Sequence, residues 1–263
     1  MNTFFLGVTM KKFQDLTFAD HYMFEKVLQN KDICKQLLER LLKIKIEKLE
    51  FPELEKEISP YYETRGVRLD VYIKDSDQVF DIELQNYSDL NLPLRTRYYQ
   101  SMLDIDNLIK GQHYSELPAS FILFICTFDP FKQELPIYTF VSKCLESSCL
   151  TLEDKATKKF FNAKAYNKEE DVEIKAFLEY ICKQEPVDAF TKEIHSLVHK
   201  IKLQEQNKKE YETMNIHDQD TFYRGKKEGI QQGIQQGIQD TKIETARKFL
   251  AMGLTFKQVA EGT

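Results

Sequence analysis

The residues of this sequence best suited to chemistry are two carboxylic acids, Asp70 and Glu83, which stand in consecutive segments with strand periodicity. Two carboxylates brought close together repel each other, so a shared proton, a cation from the protein or a metal ion must offset the repulsion. Mg²⁺ suits such a pair, because it takes oxygen ligands at about 2.0–2.1 Å and keeps water molecules for chemistry. The alternative is a solvent-facing polar surface on which Arg68 and Lys74 neutralise the acids. Spacing alone favours this alternative, because most charged strand faces are simply solvated.

A predicted β-hairpin from Arg68 to Gln85 positions the two acids. Apolar and polar residues alternate on both sides of the polar turn Asp75-Ser76-Asp77-Gln78, as in strands with one buried face. A hairpin closed symmetrically about the middle of this turn pairs Tyr72 with Asp81, Asp70 with Glu83 and Arg68 with Gln85. Directly opposed residues share a face of the sheet, with Cβ atoms about 4.5–5.5 Å apart.

The segments around the hairpin predict an α/β sandwich around a mixed sheet. Two amphipathic helices precede it, the first capped by Thr17 or Asp20 and the second running from Ile33 to Leu41. Alternation from Leu42 to Phe51 predicts a strand that ends at Pro52. The continuous apolar run Phe121–Cys126 is typical of a strand buried on both faces.

A long helix is predicted after the hairpin, with Asn91 as its N-cap and Pro93 in its first turn. Its predicted apolar stripe consists of Leu94, Tyr98, Met102 and Ile105. Arg95 and Tyr99 lie one turn apart on its other flank, with Arg97 nearby. Short strands and loops and then further helices are expected after residue 135.

The composition indicates a folded protein whose net charge does not attract nucleic acid in general. A hydrophobic content of 42% in 263 residues excludes global disorder. The net charge of −5 means that contact with nucleic acid needs a local basic patch. Five cysteines without a CxxC pair predict reduced thiols in a cytoplasmic protein, and no apolar run is long enough to cross a membrane.

The sequence divides into three predicted parts. Residues 1–12 are expected to form a disordered leader, 13–200 one folded domain, and 201–263 a charged linker, a Gly-Ile-Gln-Gln repeat and a helical end. Glycine at 229, 233 and 237 costs about 1 kcal/mol each in a helix, so the repeat is not expected to be a stable helix alone. Helix formation on self-association and a flexible linker are both open.

Four blocks of the sequence resemble the Rpn family of recombination-promoting nucleases, also called PD-(D/E)XK nuclease family transposases. The blocks are His21-Tyr22-Met23-Phe24, the hairpin segments 68–72 and 82–85, the segment 92–99 and the segment 124–130. They occur in the family's order over roughly the first two hundred residues, and the repeating glycine-rich tail is also similar to the tails of that family. The resemblance implies a restriction-endonuclease-like PD-(D/E)XK core: a mixed central sheet flanked by helices, followed by a helical C-terminal tail.

The resemblance also implies a site. Asp70 resembles the aspartate of the first metal-binding motif and Glu83 the acid of the second, and Gln85 stands in the place of its lysine. Together they would hold Mg²⁺ or Mn²⁺ and hydrolyse DNA. Arg95, Arg97 and Tyr99 would contact the substrate, and Asp20 is a further acidic candidate. Glutamine cannot supply the positive charge of lysine, so this departure from the family pattern is expected to affect the rate of DNA hydrolysis.

Two functions from different classes follow. The first is a metal-dependent DNA endonuclease that promotes recombination or acts on mobile DNA. The alternative is a catalytically inactive nuclease-fold module that binds DNA or partner proteins and assembles as a homo-oligomer through its tail.

Overall fold

The computed structural model describes residues 11–59, 66–147, 149–253, 255 and 259, and of 215–228 and 232 the backbone alone. The first ten residues of the predicted leader lie outside this description. The chain separates into one compact unit that ends at Glu205 and another that begins at Gln206.

The first unit is a six-stranded mixed sheet with helices, as predicted for the fold class. Its helices are α1 (His21–Leu28), α2 (Lys31–Leu42), α3 (Leu92–Asn107), α4 (Val172–Lys183) and α5 (Ala189–Lys202). Its strands are β1 (Glu53–Ile58), β2 (Val67–Asp75), β3 (Gln78–Gln85), β4 (Ala119–Cys126), β5 (Ile137–Phe140) and β6 (Ala156–Asn162). The strand order is β1-β2-β3-β4-β6-β5. The pairs β3-β4 and β4-β6 are parallel, and the pairs β1-β2, β2-β3 and β5-β6 are antiparallel.

Helix α3 covers the sheet face that carries the polar residues of β3. Asp81 is in register with Ile122 and Glu83 with Phe124, so these four side chains share one face. Leu92, Met102 and Leu103 of α3 belong to the same hydrophobic cluster as Ile122, Phe124 and Phe160. The acids therefore lie beneath a helix and not toward open solvent.

The strand predicted between Leu42 and Phe51 is wrong, since α2 continues to Leu42 and the first strand begins after Pro52. Only the end of this segment approaches the sheet, where Leu49 forms an isolated bridge with Asp75 and the Glu50 N–H donates to the Lys74 carbonyl at 2.8 Å. Side chains take two other backbone N–H groups of this segment. Glu39 accepts from the Ile46 N–H at 2.9 Å, and Asp75 accepts from the Lys48 N–H at 3.0 Å. The apolar alternation is explained by burial of single side chains in an irregular segment.

The apolar stripe predicted for α3 is confirmed at Met102, which is buried, but is wrong at its ends. Leu94 is 56% exposed and Ile105 is 50% exposed, while Leu92, Thr96 and Leu103 are buried. The buried face of α3 is rotated relative to the prediction because Thr96 can face inward. The Thr96 hydroxyl donates to the Leu92 carbonyl at 2.8 Å, so this polar side chain is buried with its hydrogen bond made.

The second unit is formed chiefly by α6 (Glu205–Ala251), a single helix that includes the Gly-Ile-Gln-Gln repeat. The helical end predicted within residues 201–263 is, as far as Ala251, part of α6 and not a separate element. A Cβ atom built on Gly229, Gly233 or Gly237 meets no described atom within 4 Å, so no close contact requires glycine there.

Candidate active site

The hairpin of β2 and β3 brings Asp70 and Glu83 together. Tyr72 lies opposite Asp81 as predicted, and the backbone pairing ends one residue further on, at Val71 and Ile82. There the backbone ladder is replaced by side-chain bonds. The Asp70 N–H donates to Glu83 Oε1 at 2.9 Å, and the Leu84 N–H donates to Asp70 Oδ2 at 3.1 Å. Each carboxylate therefore accepts a hydrogen bond from the backbone of the partner strand.

The acids on β3 are buried. Asp81 is fully buried and Glu83 is 4% exposed. Burial, and then the charges of Asp81 and Asp70, raise the pKa of Glu83 well above its usual range. Burial and the Asp70 charge do the same to the pKa of Asp81, although hydrogen bonding with the Glu83 carboxyl opposes the rise, and its two oxygens accept from no N–H or hydroxyl group among the described residues. Adjacent buried carboxyl groups are more stable with a shared proton or a bound cation than as two anions.

The solvent-facing alternative does not describe this hairpin. Arg68 pairs with Glu55, with 3.1 Å between Nη1 and Oε1. Lys74 lies with its Nζ 5.7 Å from the centre of the Tyr72 ring. Neither cation has an ion pair with Asp81 or Glu83 among the described contacts, so these acids are not neutralised in the way that alternative requires.

Helix α1 brings two further titratable groups to Asp70. His21 and Glu25 are four residues apart and so share a helix face. His21 Nδ1 lies 3.4 Å from Asp70 Oδ2, and hydrogen bonding to Asp70 raises the pKa of His21 although burial opposes the rise. Glu25 is 8% exposed, and burial together with the Asp70 charge raises its pKa to about 8. At neutral pH Glu25 is therefore largely protonated.

Arg95 of α3 supplies positive charge to the site. Its guanidinium donates to Gln85 Oε1, and its Nη1 lies 3.8 Å from Asp89 Oδ2. Its charge opposes the rise in pKa that burial causes at Asp81 and Glu83. The buried Nε of Arg95 has no hydrogen-bond partner among the described residues. One N–H donor of Arg95 is therefore unused among the described contacts.

Gln85 and Tyr99 complete this side of the site. The Gln85 amide nitrogen donates to the Tyr87 carbonyl at 2.7 Å, while its oxygen accepts from Arg95, so the side chain is held from both ends. The Tyr99 ring lies 6.5 Å from the Phe124 ring, centre to centre. Burial and the Glu83 charge raise the pKa of Tyr99, so its hydroxyl stays protonated at neutral pH.

Two predicted site residues have their contacts elsewhere. Asp20 precedes α1 and accepts from the Thr17 N–H at 2.7 Å and from Lys11 at 2.7 Å. It has no described contact with Asp70, and from α1 it is Glu25 and His21 that interact with that acid. Arg97 lines a pocket on the opposite flank of α3.

Asp81, Glu25 and His21 were not singled out in the sequence. Asp81 alternates with Glu83 and Gln85, so the strand period indicated its face but not its burial. The four-residue spacing of His21 and Glu25 indicated a shared helix face. No local pattern indicates which sheet position that helix face meets.

The donor set fits a hard divalent cation. Among the described residues no group of three or more His, Cys, Asp or Glu side chains is arranged to hold a metal ion. Mg²⁺ is nevertheless commonly bound by only one or two protein carboxylates and keeps water or phosphate oxygens as its other ligands. Asp70 and Glu83 provide such a pair, beside an acid whose two oxygens accept from no described N–H or hydroxyl group.

Comparison with known proteins identifies the family. A family model described as PD-(D/E)XK nuclease family transposase matches residues 12–220. No curated protein and no solved structure matched the chain.

Proposed function

The chain belongs to the PD-(D/E)XK nuclease family transposases, and on that premise we propose that it is a metal-dependent DNA endonuclease that promotes recombination or the activity of mobile DNA. One observation carries the proposal. Asp70 and Glu83 meet across two neighbouring strands, next to the buried Asp81 and on the sheet face that Arg95 borders. A shared fold does not establish activity, so the proposal depends on these side chains.

Asp70 and Glu83 would hold Mg²⁺ or Mn²⁺. When bound, such an ion polarises a phosphate and lowers the pKa of a water molecule. Glu83 must lose its proton to bind the ion, since burial keeps the pKa of its carboxyl high. Each acid uses only one of its two oxygens to accept from a backbone N–H group, so its other oxygen is available for the ion.

Arg95 would bind the scissile phosphate. Its guanidinium is already oriented by Gln85, so fewer rotamers are lost when it donates to phosphate oxygens. Gln85 thus acts first as a positioning residue for Arg95. Its second amide hydrogen can still orient a water molecule, although it carries no charge. Tyr99 would contact the substrate as a neutral hydroxyl on the same flank.

Assembly through α6 is part of the proposal. Ile230, Ile234 and Ile238 are each more than half exposed on this helix, and a second copy of the chain is the partner proposed to cover them. Sedimentation of the full chain and of a triple Ile→Gln variant tests this, and equal masses would count against assembly here.

The proposed compartment is the cytoplasm. All five cysteines are free thiols, as is usual in reducing compartments. Across the described part of the chain, no helix is both long and apolar enough to span a membrane.

The rival function is a nuclease-fold module that binds DNA without cutting it. Glutamine at the lysine position favours it, because a neutral amide supplies less positive charge beside the acids than a lysine would.

Plasmid nicking in Mg²⁺, Mn²⁺ and EDTA tests the proposal. The parent is expected to nick only with a divalent ion, and Asp70→Ala and Glu83→Ala to lose activity by at least about 10³-fold. Asp20→Ala is a matched acid-to-alanine control and should keep most activity. Nicking that survives both site substitutions would exclude this site. Intact DNA binding without any nicking would favour the rival.

A further inference from the structure

A pocket lies on the opposite flank of α3 from Arg95, between that helix and strands β5 and β6. Its volume is about 320 Å³, at the small end of ligand pockets, which usually measure about 300–1,000 Å³. Phe131, Phe140 and Phe160 provide its aromatic wall, and Arg97, Gln100 and Lys158 its polar groups. Nothing described above uses this pocket.

The aromatic wall leaves one ring accessible for stacking. Phe160 is 2% exposed, and its ring centre lies 5.0 Å from that of Phe131 and 5.7 Å from that of Phe140. Phe140, in contrast, is 45% exposed. A partly exposed phenylalanine supported by two other rings is a suitable platform for a flat ligand.

The polar groups favour an anionic ligand that also carries an N–H donor. Arg97 and Lys158 have no ion pair among the described residues, although Lys158 interacts at longer range with Asp104 and Asp154. Gln100 donates to Ser120 at 2.7 Å, but its buried Oε1 has no described partner. Two cations, a stacking ring and an unpartnered acceptor match the phosphate, the flat face and the N–H edge of a nucleotide.

The pocket shares a sheet face with the carboxylates. From Tyr99, a row of rings leads through Phe124 to Phe160, since the Phe124 and Phe160 rings stack at 5.1 Å with 6° between their planes. Only α3 separates the two places, and a helix with its side chains is about 10–12 Å across. At about 3.4 Å per nucleotide of a duplex strand, this width corresponds to roughly three nucleotides.

We propose that this pocket is a second nucleic-acid subsite, which takes the base of an unpaired nucleotide in the strand that adjoins the scissile phosphate. The base would stack on Phe140 and donate to Gln100, and its phosphate would lie against Arg97 and Lys158. A paired base cannot enter such a pocket, because it is stacked within the duplex. The inference rests on the proposed function and adds that the preferred substrate has a single-stranded tail or gap.

The absence of tryptophan from the sequence makes a direct test possible. The full chain with Phe140→Trp and Asp70→Asn would be titrated in EDTA with a duplex that carries a single-stranded thymidine tail. A blunt duplex of the same paired sequence is the control. The tailed duplex is expected to quench the tryptophan fluorescence and to bind about tenfold more tightly than the blunt duplex. Adding Arg97→Ala should remove most of this preference, whereas adding Leu94→Ala, on the same helix but outside the pocket, should not.

Three results would overturn the subsite: equal quenching by both duplexes, an unchanged preference after Arg97→Ala, or equally strong quenching by free thymidine monophosphate. The parent chain separates this failure from failure of the proposed function. Nicking without a tail preference leaves the endonuclease and removes the subsite. A tail preference without nicking leaves the subsite on a DNA-binding module. If neither duplex binds, the subsite is wrong.

Discussion

Helix α3 separates two regions of one sheet face that differ in charge and burial. On the carboxylate flank, Asp70 and Glu83 lie beside Arg95, and the carboxylate of Glu83 is removed from water. On the cation flank, Arg97 and Lys158 border an open aromatic pocket. Arg95 and Arg97 differ by two residues, or about 200° around a helix of 3.6 residues per turn. The angle around the helix, and not the residue type, therefore decides which flank each arginine borders.

The largest expected effect distinguishes the two arginines. Arg95→Ala should lower nicking of a blunt duplex by about 10²–10³-fold, because it removes charge stabilisation at the reacting phosphate. Arg97→Ala, the matched variant on the cation flank, should change the same rate by less than about threefold, as expected for an exposed residue away from the chemistry. The measurement is the initial rate of nicking at saturating Mn²⁺. Equal losses in both variants would remove the functional difference between the flanks.

A second prediction concerns proton release on the carboxylate flank. The raised pKa of Glu83 means that a divalent ion competes with a proton. The apparent affinity for Mn²⁺, measured by calorimetry, should therefore rise with pH above the usual titration range of a carboxyl group, by up to about tenfold per unit. Glu83→Gln should abolish the pH dependence together with most of the binding. A pH-independent affinity in the parent would show that Glu83 is not a ligand.

The smallest expected effect is on stability. Folding raises the pKa of Glu25 from 4.5 to about 8, so the native state keeps a proton that the unfolded chain loses over this range. Stability should therefore fall as pH rises from about 4.5 to about 8. Glu25→Gln removes this loss and should raise Tm at pH 8 by about 2–4 °C, equivalent to roughly 1 kcal/mol, and have little effect at pH 5.

Asp104 provides the comparison for this measurement. Burial also raises its pKa, but hydrogen bonding to Gln100 and the charge of Lys158 oppose the rise. The difference in Tm between Asp104→Asn and the parent should change less between pH 5 and pH 8 than the difference for Glu25→Gln. A larger change for Asp104→Asn would show that folding raises the pKa of Asp104 more than that of Glu25, contrary to this prediction.

The carboxylate flank was largely predictable from sequence because its key contacts lie within one hairpin. Period-two alternation and a two-residue turn fixed the pairing of Tyr72 with Asp81 and placed Asp70 beside Glu83. Burial was not predictable, since it depends on the angle at which α3 packs. That angle was predicted wrongly from the stripe that contains Leu94.

The cation flank could not be predicted in the same way. Its pocket joins α3, the loop at Phe131, strand β5 and strand β6, which are separate in sequence and meet only through the order of the sheet. The contribution of Glu25 was missed for a similar reason, because α1 and β2 are separated by a helix and a strand. Local periodicity defines faces of single elements but not which faces meet.

The side-chain bonds that replace the backbone ladder at Asp70 have a consequence for solvent exchange. The amide hydrogens of Asp70 and Leu84 are held by the two carboxylates themselves. Each carboxylate can bind a cation through its second oxygen while its first oxygen keeps the amide hydrogen. Hydrogen–deuterium exchange at these two positions should therefore slow when Mg²⁺ is added, together with the rest of the hairpin. Faster exchange at these two amides alone would show that the ion displaces them from the carboxylates.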